Sequence, residues 1–595
     1  MRPLLTGIFM LFSLIIFGVL PNDAADWRTD YEKSGCKETP RYDATVAYCK
    51  RLASASHWIH YTTFGNSPQG RDLPLLMVDK TKHFTPESVR KSDNAVLLIQ
   101  AGIHSGEIDG KDAGLMLVRD IAITKKYPEL LDHLTVLFMP IFNVDGHERF
   151  GPYNRINQNG PKEMGWRVTA QNLNLNRDYL KADAPEMHAW MRLFLEWLPD
   201  FFVDCHVTDG ADYQYVITYG LEIGGSMAPG ITDWTRNVYL KNVEKMMEES
   251  GFPISPYVIF RTHHEPTSGL ISWVAPPRLS EGYTALQNRS GLLIESHMLK
   301  DYKTRVEGTY EMLRHTMSIL NKEHRELIRL NEEADRLTAS AEFREEPFPL
   351  GFRGTRDSVM VDFLGLEYEV EKSDLTGGLW HRYSDKPVTY RIPYFNKQEP
   401  ATTVALPEAY IIPTEWTEVI DRLALHGVEF NLLEQPHTIK VKSYRFNNID
   451  WRTRPYEGRH MVQFEQVQIE EERTYPAGSA VVDMNQRAAR VAAHILEPEA
   501  PDSYLRWDFF DTIFERKEYT ETYVMEAMAR EMLASDPDLK EEFEQKVAED
   551  STFVGNQWAV LNWFYERTPY WDDRKDVYPV GKIFNRDIVN RLRIR

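Results

Sequence analysis

The sequence predicts an α/β fold: a central mixed, largely parallel sheet flanked by helices, followed by a β-rich region and a helical C-terminal region. Three observations carry this reading. Short, nearly unbroken apolar runs recur between about residues 41 and 330, as expected of strands buried on both faces. Segments of helical spacing separate them, and that alternation points to layered βα units. After about Phe343 the character changes to strand-like runs and then to helices rich in charge.

In chain order, residues 43–52 read as a helix and 73–78 as a strand. Residues 95–101 are a strand with almost no polar interruption, 111–121 an amphipathic helix, and 134–142 another strand. A helix at 186–197 precedes a strand at 201–205. A helix at 237–250, a strand at 291–294 and a long helical stretch at 306–339 complete this half. Beyond it, 359–363, 389–395 and 439–445 read as strands, the last largely alternating. Residues 415–426 read as a helix ended by Gly427. Residues 522–534 are the clearest later helix, and 558–564 are rich in aromatics. The domains expected are 26–340, 341–503 (β-rich) and 504–595 (helical). A chain of 595 residues fits this, since length alone suggests roughly three to four domains. The second half carries no repeat or cofactor fingerprint, and its plain reading is a packing or substrate-restricting appendage.

Residues 1–25 read as a signal peptide: Arg2, an apolar run from Leu4 to Leu20, then Pro21, Asn22 and Asp23, with Ala24 and Ala25 as small residues for cleavage. An uncleaved anchor is the alternative, because the run is near the lower limit for a bilayer span. A secreted or periplasmic location follows, with no stable membrane partner after cleavage. With 69 basic and 89 acidic side chains the formal charge is −20, which argues against nucleic acid, whose phosphates need a basic face. Cys36 and Cys49 stand as either a disulfide or two free thiols, and Cys205, inside an apolar run, as a buried structural thiol.

The chemistry gathers at strand ends. Strand 95–101 leads into Gly102-Ile103-His104-Ser105-Gly106-Glu107; strand 201–205 ends at His206; strand 291–294 ends at Glu295. Open α/β sheets bind ligands beyond the carboxyl ends of their strands. One His-x-x-Glu is common by chance; three strand ends delivering His and Glu, then His, then Glu to one edge is not. A catalytic zinc takes three protein ligands and keeps one position open. His104, Glu107 and His206 fit that set, with Gly102, Gly106 and Gly110 expected to let the turn bend sharply. A separate carboxylate must then move protons, and Glu295 suits that role. The competing readings are a core histidine for His206 and an ion-paired edge carboxylate for Glu295.

The order His104-x-x-Glu107, Asn176-Arg177, His206 and Glu295 resembles that of the zinc carboxypeptidases, the carboxypeptidase A-like family. Gly165-Trp166-Arg167 before Asn174-Leu175-Asn176-Arg177 is similar to that family's arginine stretch and Asn-Arg pair. Asn143-Val144-Asp145-Gly146 resembles its Asn-Pro-Asp-Gly turn, and Gly65-Asn66-Ser67 with Gly70-Arg71 its early Gly-x-Ser-x-x-Gly-Arg. The resemblance spans about residues 30–330. It implies one Zn2+ per chain and hydrolysis of a C-terminal peptide bond, with Glu295 as general base and acid. It implies that Asn176 and Arg177 clamp the substrate's free carboxylate, a planar anion suited to a bidentate guanidinium. It gives the oxyanion to Arg167, with Arg155 as a rival, and leaves a structural pair with Asp178 or Asp183 as the alternative for Arg177. Tyr283 is the candidate for the family's mobile tyrosine. Asn174 stands where the family often has an acid that orients a ligand histidine, which implies either a differently tuned metal or another acid, such as Asp145, in that place. Arg289 is either a reader of acidic substrate groups or structural; His263, His264 and His297 read as loop or edge residues. Alternatives to the peptidase are a zinc amidase or cell-wall peptide hydrolase on the same fold, or a non-catalytic peptide- or carbohydrate-binding protein.

Overall fold

The computed structural model describes residues 26–595; the expected signal peptide lies outside the described residues. Nine strands form in the first half: β1 (Ile59–Asn66), β2 (Asp72–Val78), β3 (Ala95–Ala101), β4 (Leu134–Met139), β5 (Phe201–Thr208), β6 (Ile217–Leu221), β7 (Ile254–Pro256), β8 (Leu270–Ile271) and β9 (Ser290–His297). All but β8 join one mixed sheet in the order β1-β2-β4-β3-β5-β9-β6-β7. Its centre, β4-β3-β5-β9, is parallel. The four carboxyl ends therefore open on one edge.

Strand residues alternate between faces, and two cores follow from that alternation. Leu97, Ile99, Val136, Phe138 and Val203 pack against helices Asp109–Ala122 and Tyr302–Thr338. Val96, Leu98, Leu137, Met139 and Phe202 pack against helix Pro185–Trp197 on the other side. The second core does not stop there: Tyr410, Leu423 and Tyr504 from the second half belong to it.

The expected strand at 134–142 ends at Met139. Pro140 follows, and its missing N–H cannot extend a central ladder. The expected helix at 237–250 is a π-helical turn at Thr235–Leu240 running into helix Lys241–Glu249. Strand β1 was not expected, because His60, Thr62 and Thr63 dilute its apolar pattern.

The second half contains β10 (Phe348–Gly354), β11 (Val359–Lys372), β12 (Leu379–Phe395), β13 (Gln398–Val404), β14 (Ala409–Ile412), β15 (Asn431–Leu432), β16 (His437–Trp451), β17 (Val462–Tyr475), β18 (Ala480–Asp483) and β19 (Gly581–Ile583). Six of them form a second sheet, β15-β18-β14-β19-β16-β17. β19 is its only strand from the predominantly helical 504–595 segment. The long hairpin β11–β12 reaches back to the first half, where β12 pairs in parallel with β8. Among the described residues no helix is long and apolar enough to cross a membrane.

Candidate active site

Three of the parallel strands converge on one cleft of about 420 Å³. β3 ends at Ala101, and the chain turns through Gly102, whose φ of 68° is open to glycine at little cost. Gly110 serves differently from expectation. Its φ is not positive, but a Cβ there would sit 2.3 Å from the Cβ of Cys205, so glycine permits helix Asp109–Ala122 to lie close on β5. The turn carries His104 and Glu107, and β5 delivers His206.

His104 Nδ1 lies 3.1 Å from Glu107 Oε1, and His206 Nδ1 lies 3.1 Å from Glu107 Oε2. All three side chains are buried, and each offers a ligand atom within 4.8 Å of the others. Among the described residues no other group of His, Cys, Asp or Glu meets that test. Among the described residues His104 Nδ1 has no hydrogen-bond partner, a cost a buried nitrogen bears only where another partner takes its lone pair. Two imidazole nitrogens and one carboxylate are a catalytic zinc's donor set, so the residues present fit the metal.

The outer nitrogen of each histidine has a polar neighbour, hydrogen-bonded at His104 and at ion-pair distance at His206. His104 Nε2 meets Asn174 Oδ1 at 2.9 Å, and His206 Nε2 lies 2.9 Å from Asp204 Oδ2. Asp145 does not substitute at Asn174: its carboxylate binds Ser67 Oγ, the Gln69 N–H and Arg71, and fastens the early Ser67–Arg71 turn. Burial pushes His104 down to about 4, against the pull of Glu107. Burial alone would raise Glu107, but His104 and Arg155 beside it hold it well below the usual carboxylate range.

Glu295 sits opposite His206 in the β5–β9 register. It is buried, and among the described residues its Oε2 has no hydrogen-bond partner. Burial pushes its carboxyl up to about 8, with His206 pulling the other way. A divalent cation in the cleft acts in the same sense as His206, favouring the carboxylate.

Arg155, Arg167, Asn176 and Arg177 line the same cleft. Arg155 Nη1 and Arg167 Nη1 approach Glu107 Oε1 at 2.8 and 3.1 Å; Arg155 is the more buried, Arg167 the freer. Arg177 makes no pair with the neighbouring acids: Asp178 pairs with Lys181, and Asp183 with Arg459. Its Nη1 donates to Asn176 O at 2.6 Å.

Tyr283 is not in the cleft, which corrects the sequence expectation. It lies on helix Ser280–Leu286, fully buried against Trp190 and Phe194. Its hydroxyl is engaged by His426 Nδ1 and Gln287 Nε2, both at 2.9 Å, away from the cleft. The tyrosine that does line the cleft is Tyr257, tied to β6 by its N–H to Tyr219 O at 2.8 Å. It follows the short β7 in an irregular segment, where no periodic signal marks it. Arg289 is structural, paired with Asp335 at 2.9 Å. His297 Nε2 meets Ala211 O, and His264 Nδ1 meets Tyr383 OH. All three cysteines are free.

Tyr257 also borders a second cavity of about 490 Å³, lined among others by Glu222, Trp273 and Glu281 of the first half and Tyr394 and Gln398 of the second. The β8–β12 pairing brings these halves together there.

Residues 45–213 match the family described as zinc carboxypeptidase. Carboxypeptidase 2 of Trichophyton rubrum is 24% identical over 503 residues, covering 78% of this chain and 83% of its own length. Carboxypeptidase 2 of Trichophyton equinum is 25% identical over 504 residues, with 78% and 83% covered. Among solved structures, a metallo-carboxypeptidase from Burkholderia cenocepacia is 16% identical, covering 47% of this chain and 70% of its own, with a TM-score of 0.36. Carboxypeptidase A of Helicoverpa armigera is 15% identical, covering 50% and 74%, with a TM-score of 0.34. Residues 45–213 thus match the zinc carboxypeptidase model, and with the likeness to these carboxypeptidases this supports a metallopeptidase, whose His104–Glu107–His206 group could hold the metal.

Proposed function

We propose that this protein removes the C-terminal residue of a peptide that ends in a free carboxylate. The observation that carries the reading is convergence. A guanidinium without an ion pair among the described residues, Arg177, and a buried carboxylate with an open valence, Glu295, line one cleft with the His104–Glu107–His206 triad. His104, Glu107 and His206 would hold the zinc, which when bound supplies polarisation of the scissile carbonyl and acidification of a water molecule.

The chain's own residues do the rest. Arg177, with Asn176 beside it, binds the terminal carboxylate and sets the last peptide bond over the triad. Glu295 accepts a proton from the attacking water and returns it to the leaving amine. Arg167, the freer of the two arginines at Glu107, stabilises the negative charge that develops on the carbonyl oxygen. Arg155 holds Glu107 in place. The substrate's last side chain has room in the cavity beyond Tyr257. We assign the enzyme to a secreted or periplasmic location on the strength of its first 25 residues.

The test is metal content together with a panel of peptides, each with a free and an amidated C-terminus. One equivalent of zinc and cleavage of the free-carboxylate set alone is the expected result. Zinc with equal cleavage of both sets removes Arg177 from its role. Zinc with no cleavage of either points to the amidase or cell-wall reading.

A further inference from the structure

His206 stands between two carboxylates, and only one of them belongs to the ligand set. Its Nδ1 faces Glu107 Oε2 at 3.1 Å, and its Nε2 faces Asp204 Oδ2 at 2.9 Å. Asp204 precedes it by two residues on β5, so both side chains leave the same face of the strand. Asp204 is fully buried. Its other oxygen accepts a hydrogen bond from Gln100 Nε2 at 2.9 Å, and Gln100 is its register partner on β3. Asp204 Oδ2 and His206 Nε2 lie within ion-pair distance but off hydrogen-bond alignment, and among the described residues neither atom has a hydrogen-bond partner.

The other ligand histidine is held differently. His104 Nε2 meets the side-chain carbonyl of Asn174, a neutral amide. Negative charge behind the triad is therefore on the His206 side. A carboxylate that takes the Nε2 proton fixes the imidazole tautomer, leaves the Nδ1 lone pair for the metal and makes that nitrogen more basic. An amide carbonyl orients a ring without adding a charge.

We propose that Asp204 is a positioning residue that holds His206 with Nδ1 directed into the metal site and supplies the anionic support absent behind His104. This rests on the triad being the zinc site. A purely structural Asp204 would serve only to satisfy Gln100.

The full-length enzyme, stripped with a chelator and retitrated with zinc against a chromophoric competitor, tests this. Asp204→Asn is expected to weaken zinc binding about 10–100-fold, while the metal-free protein melts within a few degrees of the parent. Adding Asn174→Asp to that variant is expected to recover most of the loss, because the carboxylate is then behind His104. Zinc binding by Asp204→Asn at the parental affinity overturns the proposal. If Asp204→Asn does not fold, Asn174→Asp alone decides. With Asp204 already supporting the site, its zinc affinity changes less than about threefold, whereas a gain of tenfold or more shows that support was missing and overturns the proposal. A parent that binds no zinc removes the triad reading itself, a distinct result from a parent and a variant that bind it equally.

Discussion

Two regions of this molecule bury a cluster of charge, and they differ in whether its valences are closed. In the second half, Glu497 accepts from Lys582 Nζ at 2.7 Å, Tyr410 OH at 2.5 Å and Tyr444 OH at 3.0 Å, and Lys582 also donates to Tyr444 OH at 3.1 Å. Donors and acceptors match, and all four side chains are buried. At the edge of the first sheet, His104 Nδ1, Asn176 Oδ1 and Glu295 Oε2 are buried without hydrogen-bond partners, and their residues line one cleft. Burial of charge is common to both. An unfilled valence aimed at a shared space is what separates a site from a structural network.

The largest expected effect breaks the comparison on the catalytic side. Glu295→Gln keeps the shape and removes the proton carrier, so kcat falls by about 10³-fold, within the usual range for a general acid–base residue. Zinc content stays at the parental level. Full activity in this variant would return Glu295 to the status of an edge carboxylate. Next comes the closed cluster. Lys582→Met strands the Glu497 charge and is expected to cost about 3 kcal/mol of stability, read by urea denaturation. The kcat/KM of the folded fraction should not change. A loss of activity without loss of stability would mean that the accessory sheet acts on the chemistry.

The smallest effect sharpens the comparison at a third place. Glu186, on helix Pro185–Trp197, is buried with both carboxylate oxygens unpartnered among the described residues, yet it does not line the catalytic cleft. Burial pushes it up to about 7 from a model-peptide value of 4.5. The folded state therefore holds this proton more tightly than the unfolded chain does. The stability it lends is present below about pH 4.5 and is lost as pH rises through about 7. Glu186→Gln stays neutral and should be more stable than the parent at pH 8, by on the order of 1–3 kcal/mol, and little different at pH 4. Its kcat should be parental. Parallel pH–stability curves for parent and variant would rule out the titration. An open valence remote from the cleft then has a cost in stability and no part in catalysis.

Much of the first sheet was legible because its signal is local. Residues 95–101 are apolar without a break but for Gln100, as expected of a strand buried on both faces. The same rule found β5 and β9 and thereby put His104, Glu107, His206 and Glu295 on one edge. Tyr283 shows where the rule stops. Spacing along the chain selected it, but helix Ser280–Leu286 turns its ring into the core against Trp190, and His426 of the second half holds its hydroxyl. Tyr257 carries no periodic signal, since the segment around it is irregular and its place is set by one backbone bond to β6. Asp204 was visible only as part of an apolar strand. Its role depends on the register that sets Gln100 on one side and on the rotamer that sets His206 on the other.

The sequence by itself determined the α/β class, the parallel centre of the sheet and the four residues at its edge. Those follow from periodicity and from chemistry carried on single strands. Tertiary structure alone decided which tyrosine joins them, which polar group backs each histidine, and that the second half shares a core with the first and walls the cavity beyond Tyr257. These are contacts between residues up to hundreds of positions apart, such as Tyr283 with His426 or β8 with β12. No local pattern encodes them, because they are selected by packing and by the closing of hydrogen-bond valences once the whole chain is in place.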